Sequence, residues 1–158
     1  SDGGIILIGD HMYYEKSNKR KKQTSVVIKF DSQGQIEWRK TFITKDDKRA
    51  YESETIVKTK DGNFIFFRLM YPTKYSMGVD EFIKIDPKGR VIWKCKFKGS
   101  GGRDTPYAQK IQLLDNGSIE ATGQIYPKQV LEKNCHNWRG VIDQKGRIRL
   151  SETGERQK

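Results

Sequence analysis

The sequence predicts an all-β fold of stacked four-stranded antiparallel units, about two and a half to three of them in 158 residues. Three observations carry this. The stretch 26–42 returns as 81–97 at an offset of 55 residues with no gap, so that Asp31, Gly34 and Trp38 become Asp86, Gly89 and Trp93. A third copy, 140–150, keeps Asp143 and Gly146 and carries Leu150 where the tryptophan stood. Tight-turn signals separate runs in which apolar and polar residues alternate, and no stretch reads as a helix. A period near 50 residues marks units that cannot each bury a core alone, so neighbours must stack.

The units cover about 1–52, 53–108 and 109–158 of one domain spanning 1–158, and each reads as strands A to D. In the middle unit strand A is 53–59 and strand B is 64–70, joined by Lys60-Asp61-Gly62-Asn63. Asp-Gly between alternating runs signals a hairpin because glycine accepts positive φ. Strand C, 82–86, is joined to strand D, 90–97, by Pro87-Lys88-Gly89, a second tight turn. The A–B turn recurs as Asp2-Gly3-Gly4 and Asn116-Gly117-Ser118, which gives about eleven strands in all. The first unit lacks a strand A, and the chain opens on Ser1 within a unit, so upstream blades are expected. Closure through a second chain and an open stack with protected edges are the alternatives, since unpaired edge strands invite pairing.

Short A–B and C–D connections against long B–C and D–A connections place all tight turns at one end of an antiparallel meander and all long loops at the other. The long-loop end is where binding residues are expected. The first B–C loop, read as 13–24, carries Tyr13, Tyr14, Lys16, Lys19, Arg20, Lys21 and Lys22. Its counterparts begin at Tyr71, with Tyr75 following, and at Tyr126, with His136 near the end. Arg103 lies in the glycine-rich D–A loop 98–106, read as a crossover between units because the segment after it is a strand, not the helix a phosphate cradle needs. Tyrosines beside cations can stack on bases or sugars while the charges hold phosphate or sulfate. Equally, the tyrosines can cap strand ends and the lysines can be a solvated tip.

The net charge of +11 favours association with polyanions and also serves solubility. Residues 10–25 hold five basic and two acidic side chains, a mild focus of that charge. No apolar run reaches 18 residues, so a helical membrane span is not expected. The two cysteines, Cys95 and Cys135, are too few for a disulfide framework, and Cys95 is read as a small buried thiol with a Cys95–Cys135 bridge as the alternative. His11 and His136 show no metal-ligand spacing, and no nucleophile elbow or carboxylate pair stands out. Catalytic, metal and cofactor residues are therefore assigned to none.

The spacing Asp-x-x-Gly-x-x-x-Trp in Asp31/Gly34/Trp38 and Asp86/Gly89/Trp93, with Thr59, Asp61 and Gly62 ahead of it, resembles the repeat of quinoprotein-type (PQQ-like) β-propellers. The resemblance covers nearly the whole chain and implies four-stranded blades, with Asp-Gly turns fixing the C–D register and Trp filling the seam between blades. It also implies a bacterial periplasmic, envelope or secreted location, with a cytoplasmic one open. No residue here matches a quinone site, so no PQQ is carried over. The expected function is a non-catalytic protein-interaction module working through the long-loop end. A polyanion binder built on 13–24 and a fragment of a larger propeller enzyme are the alternatives, and pairing of copies through open blade edges is a further expectation.

Overall fold

The computed structural model describes residues 3–15, 20–42, 51–70, 79–97, 104–127 and 136–156. Among them lie eleven β-strands and no helix. Sheet I is formed by β1 (Ile5–Glu15), β2 (Arg20–Phe30) and β3 (Ile36–Phe42). Sheet II is formed by β4 (Tyr51–Lys58), β5 (Phe64–Met70), β6 (Val79–Ile85) and β7 (Val91–Phe97). Sheet III is formed by β8 (Asp104–Leu113), β9 (Ile119–Pro127), β10 (His136–Ile142) and β11 (Ile148–Arg156). Each sheet is an antiparallel meander in chain order.

The tight turns follow from their sequence. In the turn after β6, Asp86 Oδ1 accepts the backbone N–H of Lys88 at 2.9 Å and of Arg90 at 2.8 Å, while Gly89 takes φ 74°. The same carboxylate bonds recur at Asp31 (Gln33 and Gln35) and at Asp143 (Lys145 and Arg147). Only glycine enters the left-handed region at little cost, so one Asp and one Gly four-residue turn fix the register of the hairpin that follows.

Sheet II is the central layer. Alternate residues of a strand face opposite sides, and here both sides are covered. Phe64, Phe66, Ile83 and Ile85 pack with Val27 and Phe42 of sheet I. Ile65, Phe67 and Phe82 pack with Ile111, Ile119, Ala121, Trp138 and Ile142 of sheet III. This explains why β5 opens on the uninterrupted apolar run Phe64-Ile65-Phe66-Phe67: a strand buried on both faces has no solvent side to alternate with.

The tryptophans join neighbouring sheets at the tight-turn end. Trp38 of sheet I donates its indole N–H to the carbonyl of Pro87, in the sheet II turn, at 2.9 Å. Trp93 of sheet II donates to the carbonyl of Gln144, in the sheet III turn, at 3.0 Å. The rings lie over Gly89 and Gly146, where an added Cβ would meet them at 3.1 Å and 3.0 Å.

One expectation is corrected. Residues 13–15 and 20–24 are strand and not loop, because β1 and β2 stay paired from Ile5 opposite Phe30 to Glu15 opposite Arg20. Tyr13, Tyr14, Arg20, Lys21 and Lys22 are strand residues. Cations do not interrupt a ladder, because the pairing runs between backbone N–H and C=O groups. Tyr126 likewise falls on β9, His136 on β10, and residues 104–106 of the expected crossover on β8.

Candidate binding face

At the long-loop end the β1–β2 ladder continues past the last described residue of β3. Among the described residues β3 reaches Phe42, opposite Ser25, and residues 11–15 and 20–24 go on pairing with each other past that point. At about 3.4 Å per residue this paired segment, or ribbon, runs roughly 15 Å beyond the level of Phe42. Register sets Tyr13 opposite Lys22 and Tyr14 opposite Lys21. His11 and Tyr13, two residues apart and so on one face, stack with ring centroids 5.7 Å apart and an interplanar angle of 26°. Met12 and Tyr14 occupy the other face and are 70% and 57% exposed. Near the base, Gln23 Nε2 donates to Asp10 Oδ2 at 3.2 Å.

Beneath this end lies a polar cluster that sequence reasoning missed. Arg68 and Glu81 stand opposite each other on β5 and β6, and both are buried. Arg68 Nε donates to Glu81 Oε2 at 2.9 Å, and Nη2 donates to the same oxygen at 2.5 Å. Its Nη1 reaches across to the Phe42 carbonyl of sheet I at 2.5 Å, an oxygen that also accepts the Thr24 hydroxyl at 3.1 Å. On the opposite side of sheet II, Asp80 Oδ2 accepts the Ala108 N–H of sheet III at 2.7 Å. A buried charge is tolerated only when paired and hydrogen-bonded, and here Arg68 also ties sheet II to sheet I while Asp80 ties it to sheet III. The available signal was Arg68 breaking the apolar run 64–70, which did not point to Glu81 as its partner.

At the other end the two A–B turns of sheets II and III enclose a polar cleft of about 370 Å³, lined by Thr59, Lys60, Asp61, Asp115, Asn116 and Gln144 among others. Lys60 Nζ crosses it to the Asp115 carbonyl at 2.5 Å. Partial burial works against ionisation of Asp61, but the Lys84 ammonium, the Thr59 hydroxyl and Asn63 together hold its carboxyl well below the usual range. Lys84 Nζ lies 2.6 Å from Asp61 Oδ2.

The structure therefore brings Tyr13, Tyr14, Arg20, Lys21 and Lys22 together on one ribbon. Tyr126 and His136 sit at facing ends of β9 and β10, where His136 pairs with Ile125. Lys16, Lys19, Tyr71, Tyr75, Arg103 and Cys135 lie outside the described residues. Asp31, Gly34, Trp38, Asp86, Gly89, Trp93, Asp143 and Gly146 all lie in or beside the tight turns, at the opposite end from the ribbon. Cys95 is a free thiol, and burial first, then the Glu81 charge, pushes its pKa up to about 12. Among the described residues no cluster of His, Cys, Asp and Glu could hold a metal ion, and no helix is long and apolar enough to cross a membrane. No protein-family model matches the chain, and no curated protein matches it.

Proposed function

We propose that the chain is a non-catalytic, β-propeller-type interaction module that binds another protein through its long-loop end, with the ribbon 11–24 as the principal contact. The observation that carries this reading is the ribbon itself. Its base is held by the Thr24 bond to the Phe42 carbonyl, which Arg68 also bonds, and it presents Met12 and Tyr14 to solvent. Exposed aromatic and methionine side chains suit a protein partner, because both types are enriched in the buried centres of protein interfaces. A photo-reactive phenylalanine analogue at Tyr14 should cross-link one protein that the same analogue at the exposed Ile92 does not. Adducts of equal pattern at both sites would remove the support for this reading.

A second reading, polyanion binding, rests on the register of tyrosines against lysines on the same ribbon. Its signature is ionic: log affinity for duplex nucleic acid should fall with log salt at a slope of about −0.9 per neutralised phosphate. Replacing Arg20, Lys21 and Lys22 by Gln should flatten that slope by roughly three such increments. Heparin or nucleic-acid binding unchanged by the triple substitution would exclude the ribbon as the site.

A further inference from the structure

Sheet I presents, on the side facing away from sheet II, a copy of the surface by which sheet II is itself held. Sheet II buries Phe64, Phe66, Ile83 and Ile85 against sheet I, with Phe64 opposite Ile85 and Phe66 opposite Ile83. The corresponding residues of sheet I are Ile5, Leu7, Ile28 and Phe30, in the same pairing. Because Ile6 and Ile8 pack toward sheet II, Ile5 and Leu7 face outward. They are 60% and 52% exposed, where Phe66 is 0%.

The turn at the end of that face repeats the tryptophan acceptor as well. The turn 31–34 makes the same backbone bonds as its two counterparts, Asp31 N–H to the Gln35 carbonyl at 2.9 Å and Gly34 N–H to the Asp31 carbonyl at 3.2 Å. Gly34 has φ 78°, but nothing lies within 4 Å of where its Cβ would be, whereas Gly89 and Gly146 lie under indole rings. The Ser32 carbonyl holds the position from which Pro87 and Gln144 accept an indole N–H.

The outer face of sheet III is different. The positions that are Ile65, Phe67 and Phe82 in sheet II are Glu120, Thr122 and Arg139 there, and Arg139 Nε donates to Glu120 Oε1 at 2.6 Å. Leu150 stands in the tryptophan position and carries no N–H on its side chain. A polar outer face is how a stack of such units ends in water. A second copy joined head to tail would thus set an ion pair and a leucine against apolar side chains and an unused carbonyl.

We infer that the outer face of sheet I is a docking surface for a further four-stranded sheet of the same design, not for a second copy of this chain. The incoming sheet lays apolar side chains on Ile5, Leu7, Ile28 and Phe30 and a tryptophan over Gly34, whose indole N–H bonds the Ser32 carbonyl. This stands independently of the ribbon's partner. The test joins an extra copy of residues 51–97, carrying its own Trp93 equivalent, ahead of the intact chain through a flexible linker. Docking should give one cooperative urea transition with a higher midpoint and a larger m value, and should slow amide exchange of 5–8 by about tenfold or more. Gly34→Asn should abolish both gains, since Asn tolerates the left-handed backbone while its side chain takes the place of the ring. An added segment that unfolds separately with the original midpoint unchanged, or gains that survive Gly34→Asn, would overturn the inference. Light scattering on the unextended chain should give the mass of one copy, and a dimer that Gly34→Asn dissociates would assign the face to a second copy instead.

Discussion

Replacing Trp93 by Leu should cost about 2–3 kcal/mol of unfolding free energy, and the structure divides that figure into two parts. The ring packs on Gly146 and against the core shared by sheets II and III. Shortening it to leucine uncovers roughly 70 Å² of apolar surface, worth about 2 kcal/mol at ~25 cal/mol per Å². The indole N–H bond to the Gln144 carbonyl adds about 1 kcal/mol and no more, because that exposed carbonyl can bond water once the indole is gone. Trp93→Phe keeps most of the ring contact and should cost only about 1–1.5 kcal/mol. Urea unfolding followed by circular dichroism at constant m value measures both. Leu150 already occupies the corresponding place on β11 at 49% exposure, so Leu150→Ala should cost about 0.5 kcal/mol and serves as the baseline for a position with no socket. A loss below about 0.5 kcal/mol for Trp93→Leu would refute the view that the tryptophans join the sheets.

Three further outcomes are expected. Arg68→Met should destabilise by about 3–5 kcal/mol because it strands the Glu81 carboxylate, while Arg68→Met with Glu81→Leu should recover most of that loss in a double-mutant cycle. At pH 8 the Cys95 thiol should react with a thiol reagent far more slowly than a free cysteine, and the rate should still be rising with pH at pH 10, because its pKa is pushed up to about 12. A plateau below pH 9 would contradict its burial. Asp86 and Asp143 are held below the usual carboxylate pKa, first by the backbone N–H groups of Arg90 and Arg147 and then by those arginines' side chains. A depressed folded-state pKa gives stability that is present above the unfolded value near 4 and is lost as pH falls through the folded value, so acid titration from pH 4 downward should weaken the fold. Asp86→Asn with Asp143→Asn should flatten that decline, and an unchanged slope would count against these turns as its source.

Much of the fold was legible because its determinants are local. An Asp that caps two backbone N–H groups and a Gly at positive φ define each tight turn within four residues, and the alternation on either side defines the strands. The spacing from Asp31 to Trp38, repeated at Asp86 to Trp93, also announced where the seams between sheets lie. The first connection was misread because the run 19–22 looks like a solvated tip by composition, while cross-strand pairing, which composition does not record, carries β2 back to Arg20. Arg68 and Glu81 lie 13 residues apart, and nothing in their spacing distinguishes them from the many charges that face water.

The sequence by itself determined the strands, their turns and the stacking of similar units, since those follow from short-range backbone geometry and a period near 50 residues. Only the tertiary structure decided which face of each sheet is covered. It set sheet II between two apolar clusters, left Ile5 and Leu7 open while Glu120 and Arg139 closed the far side, and paired the first hairpin out to Glu15 and Arg20. Burial depends on what stands opposite, and that is a property of neighbours distant in the chain.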